Sequence, residues 1–203
     1  MPSFEIQSEY RRAKRGAKYG NGKLGGYPGL AFTCHQIAEY FPPCKIYVEP
    51  FAGLGRTAKY AKADKVVLND MSEFAFNTLK SKFRSAHVTQ KDFLDCILEN
   101  DTADTFFLID PPWRRELYDG NDAFIDRHPF EYYTKLLEVL PQIKANWFVC
   151  GDSKERGIKK ILTESGYPQI IIKSRRTILG KPAQVKIISN KPFVRYHQAT
   201  LTL

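Results

Sequence analysis

Acid runs out early in this chain. After Glu164 there is no Asp or Glu, while Lys173, Arg175, Arg176, Lys181, Lys186, Lys191 and Arg195 remain. The stretch Tyr10 to Lys23, YRRAKRGAKYGNGK, is as one-sided, with six basic residues and no acid. Two such segments, in a chain of net charge +9, suit either phosphate neutralisation or a solvated basic surface. Cysteine is scarce: Cys34, Cys44, Cys96 and Cys150 form no CxxC pair, and no histidine stands at ligand spacing from them. That pattern excludes a zinc site and reads as buried, reduced thiols. No apolar run approaches the ~18 residues of a membrane-spanning helix. The opening MPSFE has no apolar core of a signal peptide, so the expectation is a cytoplasmic protein without a membrane partner.

What is present is an ordinary globular balance, 43% hydrophobic and 26% charged over 203 residues, enough for one full core. Residues 1–26 are polar, basic and glycine-containing and read as a flexible arm. Without internal repeats or a clear linker, residues 1–203 form a single domain in this reading. Apolar spacing from Leu30 to Phe41 predicts a helix that Pro42-Pro43 ends. Then strands and helices alternate. KIYVEP (45–50), KVVLND (65–70), HVTQKD (87–92), TFFLID (105–110) and NWFVCGD (146–152) read as strands. Helices are expected at about 56–63, 73–83 (capped by Ser72), 129–140 (between Pro129 and Pro141) and 153–166 (ending at Gly166). QIIIKS and QVKIIS, joined by RRTILGKPA, add two strands with no helix between them. The pattern predicts an α/β fold with a mostly parallel seven-stranded sheet and one antiparallel strand near the C-terminus.

In such sheets ligands gather at the carboxyl ends of the strands. The first end, EPFAGLG, places Gly53 and Gly55 between a strand and an expected helix, where glycine lets backbone approach a ligand. The pyrophosphate fingerprint GxGxxG lacks its third glycine here, which favours a nucleoside over a dinucleotide. The second end offers Asp70 as an acceptor for two ribose hydroxyls, or as a cap for the following helix. The third offers Asp92, an acceptor for an adenine amino group or a plain loop acid, and Phe93 as an aromatic to pack on the base.

The fourth end is IDPPW. An exocyclic amine on a nucleobase is a poor nucleophile because its lone pair is delocalised into the ring. Asp110 and the carbonyl of Pro111 can each accept one N–H of such an amine, and the prolines hold the backbone in place. Trp113 gives a flat surface on which an extruded base can stack.

These segments resemble the alpha-class, Dam-like adenine-specific DNA methyltransferases. YVEPFAGLG is similar to the family's cofactor loop, and LIDPPW to its Asp-Pro-Pro-Tyr catalytic motif, in the family's order. KYGNGK (18–23) resembles its N-terminal Tyr-Pro-Gly-Gly-Lys segment. GDS (151–153) and VKIISN (185–190) resemble its late core motifs. The resemblance implies a Rossmann-like methyltransferase fold, S-adenosylmethionine as cofactor and DNA as partner. It further implies cofactor contacts from Tyr19 (or Tyr27), Lys23, Glu49, Pro50, Phe51, Gly53 and Gly55, with Asp70 at the ribose and Asp92 and Phe93 at the adenine. Asp110, Pro111, Pro112 and Trp113 would take the target base.

The chain departs from the family in three places. Trp113 replaces the usual tyrosine, as in adenine methyltransferases that act on messenger RNA. Gly20-Asn21 replaces Pro-Gly. Only a short connection follows Phe93, where the family inserts a helical target-recognition domain. Relaxed specificity, or a protein partner that supplies it, is therefore expected. Two rival readings are a catalytically inactive nucleic-acid-binding module, which would need none of Gly53, Asp70 and Asp110, and a nicotinamide oxidoreductase, which the missing glycine disfavours.

Overall fold

A computed structural model of the chain describes residues 33–112, 129–152, 165–174 and 183–196. Their elements, in order, are α1 (Cys34–Ala38), β1 (Ile46–Glu49), β2 (Lys65–Asn69), α2 (Glu73–Lys82), β3 (His87–Thr89) and α3 (Phe93–Asn100). There follow β4 (Thr105–Ile109), α4 (Pro129–Val139), β5 (Asn146–Asp152), β6 (Gln169–Ser174) and β7 (Ala183–Ser189). The strands form one seven-stranded sheet in the order β3-β2-β1-β4-β5-β7-β6. The first five strands pair in parallel, and β7 runs antiparallel to both β5 and β6. The expected antiparallel strand is thus β7, slotted inside β6.

All five residues of β4, Thr105 to Ile109, are buried. A central parallel strand covered on both faces has no polar side to show. Alternate residues divide between two cores. Val48, Val67, Phe107, Ile109, Trp147 and Val149 face Phe93 and Ile97 of α3 and Tyr132, Tyr133 and Leu136 of α4. Tyr47, Leu68, Phe106, Leu108, Phe148 and Cys150 face Ile37 of α1, Ala58, and Leu79 of α2.

Two local expectations need correction. The helix expected at 56–63 is a single 3-10 turn, Ala58–Tyr60, with extended backbone (ψ 130°) by Ala61. The physical reason is reach. After the loop through Gly55, residues 56–64 must carry the chain back to the start of a parallel neighbour. An α-helix advances only ~1.5 Å per residue, against ~2.0 Å for a 3-10 turn and ~3.3 Å for extended chain. Conversely, the connection after Phe93 holds the unanticipated helix α3. Asp92 caps it, and Phe93, Cys96 and Ile97 point its apolar stripe into the core. The expected helix at 153–166 lies outside the described residues up to 164, although Gly166 does take the left-handed φ of +63° that ends helices.

Candidate active site

The chain runs from β1 outward to β2 and β3, then jumps across β1 to β4. β1 therefore pairs with β2 on one side and β4 on the other. This is the switch in strand order at which a crevice opens above the carboxyl ends. Glu49, Pro50, Phe51, Gly53 and Gly55 sit at its centre, Asp70 follows β2, and Asp110, Pro111 and Pro112 follow β4. Tyr19, Tyr27, Lys23 and Trp113 lie outside the described residues.

The glycine loop is held by its neighbours. The Ala52 N–H donates to the Asn69 carbonyl (2.8 Å), the Gly55 N–H to the Ala52 carbonyl (2.8 Å) and the Gly53 N–H to Asp70 Oδ2 (2.7 Å). Both glycines are left-handed, with φ +52° and +64°, a conformation that costs other residues ~1–2 kcal/mol. Their surroundings differ. A Cβ on Gly55 would lie 2.4 Å from the ring of Phe83 and 2.9 Å from Leu79, whereas one on Gly53 would meet nothing within 4 Å. Gly55 is packed against α2. Gly53 offers bare backbone to open space, which is what close approach of a ligand requires.

Asn69 was not singled out in the sequence, yet it joins three strand ends. Its Nδ2 donates to the carbonyls of Pro50 (3.0 Å) and Lys91 (2.9 Å). Its Oδ1 accepts from Thr89 Oγ1 (2.8 Å) and the Lys91 N–H (2.8 Å). Two donors and two acceptor sites are all an amide side chain has. An asparagine ending an apolar strand was the available signal, because strands disfavour it.

The three strand-end acids differ in a way their sequences explain. Asp70 accepts from the N–H two residues on, Ser72 (2.9 Å). Asp92 does the same with Leu94 (2.9 Å). At Asp110 the residue two on is Pro112, which has no N–H to give, so this local bond cannot form. The Pro-Pro pair thus bars the half-buried Asp110 from the bond that Asp70 and Asp92 make two residues on. Burial raises the pKa of Asp70, against the lowering effect of the Ser72 and Gly53 N–H bonds. Each of its oxygens has used one acceptor site and retains another.

Glu49 is 4% exposed and accepts from the Tyr47 hydroxyl at 2.7 Å. Burial pushes its carboxyl up to about 8; the charge of Asp110 adds to the rise and the Tyr47 hydrogen bond opposes it. Burial, then the Asp110 and Glu49 charges, likewise raise the Cys150 thiol. Glu49 ends β1, Asp110 follows β4 and Cys150 lies in β5, and none of these strands carries a Lys or Arg.

Phe93, expected to pack on a base, is 1% exposed. Its ring stacks on Phe51 (4.9 Å between centroids) and meets Tyr132 edge-on (5.7 Å). It is a core residue because it opens the helix whose apolar stripe seals α3 to the sheet. The half-buried ring at this end is Phe51, and Met71, 44% exposed just after Asp70, adds open apolar surface.

The model of the D12 class N6 adenine-specific DNA methyltransferases matches residues 33–138, more than half of the 203-residue chain. The chain belongs to this family. It is an S-adenosylmethionine-dependent methyltransferase with a nucleic-acid substrate. Solved structures share its fold at low identity. A methyltransferase candidate of Streptococcus mutans, solved with SAH, superposes with TM-score 0.53 at 13% identity, over 79% of this chain and 97% of that one. The 23S rRNA methyltransferase ErmE gives 0.50 at 14%, over 79% and 68%. The Bacillus subtilis M1A22 tRNA methyltransferase TrmK gives 0.50 at 15%, over 78% and 65%. Among curated proteins there is no match.

The residues present fit S-adenosylmethionine. Gly53 leaves open space against bare backbone, and Asp70 retains acceptor sites suited to paired hydroxyls. The three-residue 3-10 turn in place of an α-helix supplies little N-terminal dipole, which matches a nucleoside that carries no phosphate.

Proposed function

We propose that the chain methylates the exocyclic 6-amino group of adenine in DNA, with the target base turned out of its stack. The observation that carries this reading is the place of Asp110. It follows the strand beside β1, whose end opens the glycine loop, and Pro112 denies it the bond from two residues on that Asp70 and Asp92 make. Bound S-adenosylmethionine supplies an activated methyl group. Glu49 to Gly55 and Asp70 hold the cofactor; Tyr19, Lys23, Asp92 and Phe93 complete or support its site. Asp110 and the Pro111 carbonyl accept the two amine N–H groups, which shifts the nitrogen toward a tetrahedral, more nucleophilic form. Trp113 stacks on the base and keeps the amine in line. The amine loses one proton for each methyl it gains, and Asp110 or water accepts it.

The Asp-Pro-Pro-Trp sequence favours a second reading, transfer to an RNA adenine, and the same geometry serves a cytosine 4-amino group. In either case a single cytoplasmic domain of residues 1–203 with a basic arm at about 1–26 does the chemistry, and a protein partner supplies sequence specificity. That division of labour is supported by the connection between β3 and β4, where α3 leaves only residues 90–92 and 101–104 for any insertion. The test is labelled S-adenosylmethionine offered with unmethylated duplex DNA, single-stranded DNA or RNA, followed by nucleoside mass spectrometry. Labelled N6-methyldeoxyadenosine supports the first reading. Label confined to RNA, or to cytosine, replaces it with the second.

A further inference from the structure

One charged surface lies outside the residues placed at the site. Residues 56–65, RTAKYAKADK, carry Arg56, Lys59, Lys62 and Lys65 against a single acid, Asp64; residues 80–84, KSKFR, carry Lys80, Lys82 and Arg84 against none. The fold joins the two stretches. Gly55 packs on Leu79 and Phe83, Lys82 Nζ donates to the Leu54 carbonyl at 3.3 Å, and Ala58 and Leu79 cover the same core.

Lys59, Lys62, Lys65, Lys80, Lys82 and Arg84 are exposed. Among the described residues none of these six is in an ion pair, whereas Lys45, Lys91, Lys135 and Arg195 each hold a carboxylate. Three of the six lie over aromatic rings: Lys59 over Tyr60 (5.1 Å), Lys80 over Phe76 (4.5 Å) and Lys82 over Phe83 (5.3 Å). A ring face steadies an ammonium without neutralising it. The opposite face is of the other sign. Residues 92–104, which form α3 and lead to β4, carry Asp92, Asp95, Glu99, Asp101 and Asp104 and no basic residue. Like charges gathered without counter-charges cost stability, and a polyanion laid across them removes that cost.

We infer that this face, bordering the glycine loop, is the anchor for the phosphate backbone of the polynucleotide substrate. The inference rests on the reading of the chain as a nucleic-acid methyltransferase and assigns where the strand runs. Because the anchor touches phosphates and not bases, it gives affinity without sequence preference.

The test compares the full chain with the variant Lys59→Gln, Lys62→Gln, Lys80→Gln, Arg84→Gln. A control away from the patch carries Lys135→Gln and Lys144→Gln. Affinity for a fluorescently labelled single-stranded oligonucleotide is read by anisotropy across a salt series. The patch variant is expected to bind at least about tenfold more weakly, with a log–log salt slope shallower by about 3. The control should stay close to wild type, and S-adenosylmethionine affinity should be unchanged in all three. The milder pair Lys62→Gln, Arg84→Gln, which touches no ring, should give about half that change in slope. A patch variant that binds as well as wild type, or no worse than the control, overturns the anchor alone. A wild-type chain that binds no oligonucleotide removes the reading beneath it. Patch-dependent binding to phosphatidylserine vesicles, without oligonucleotide binding, overturns the anchor in favour of a lipid surface.

Discussion

The two halves of the crevice are held by opposite means. At β1 and β2 the polar groups are spent on one another. Asn69 uses all four of its bonding positions on Pro50, Thr89 and Lys91, and Asp70 bridges Gly53 and Ser72. At β4 the chain withholds one local bond, the one from the N–H two residues on. Two prolines follow Asp110, and neither can donate to it. The first half is a mould fixed before any ligand arrives; the second keeps a carboxylate out of the local turns that consume Asp70 and Asp92. Damage to the mould should therefore cost stability and cofactor affinity together, whereas damage at β4 should cost transfer alone.

The largest effect is expected at Asp110. Asp110→Ala should lower single-turnover methyl transfer by about 10²–10³-fold, with S-adenosylmethionine affinity by calorimetry unchanged. A parallel loss of cofactor affinity would erase the distinction between the halves. Next comes Asn69→Ala, which strands four buried or half-buried groups and should cost about 3 kcal/mol in denaturant unfolding and weaken cofactor binding. The two glycines divide strain from packing. Gly55→Ala should cost about 2 kcal/mol, because strain adds to the clash with Phe83 and Leu79, and Gly53→Ala about 1 kcal/mol, from strain alone. Equal losses would show that the packing of Gly55 on α2 is immaterial.

A smaller effect tests the proline argument directly. Pro112→Ala restores an N–H two residues past Asp110, so a cap can form. Transfer should fall roughly fivefold, as a net hydrogen bond of about 1 kcal/mol competes for the carboxylate. A rate equal to wild type would detach the Pro-Pro pair from this role.

The subtlest effect is a pH profile. The Glu49 carboxyl is raised from 4.5 to about 8 by burial first. The folded state therefore holds its proton where the unfolded state has lost it. The stability this contributes is complete below pH 4.5 and is lost as pH rises through about 8. Glu49→Gln cannot ionise, so its Tm should decline less than that of wild type across this window. Parallel Tm curves would remove the pH dependence from Glu49.

Much of this was legible along the chain. Six of the seven strands left an apolar run, β3 being the weak one, and the missing helix before the last strand announced the antiparallel pair. The residues that carry the proposed chemistry stand at strand ends because such motifs are local: glycines where backbone turns sharply, an acid next, prolines to bar a cap. Asn69 gives no local signal of this role, because its four bonds go to Pro50, Thr89 and Lys91 at two other strand ends and no short window contains them. Phe93 was read as a ligand-facing ring because the same aromatic can open a loop or a helix. Only Asp92 as cap, with Cys96 and Ile97 spaced behind it, decides for the helix, and the helix then turns the ring inward.

The amino-acid order alone determined the strands, the acceptors at their ends and the absence of room for a large insertion after Phe93, since these depend on near neighbours and on the length of the connection. Tertiary structure decided which ends meet. Placing β4 beside β1 brings Asp110 to the glycine loop, and laying that loop on the end of α2 sets beside it cations that have no ion pair among the described residues. Both follow from crossover geometry and packing, which act between residues far apart in the chain: a returning segment too short for an α-helix, and a Gly55 that only a bare Cα lets lie against Phe83.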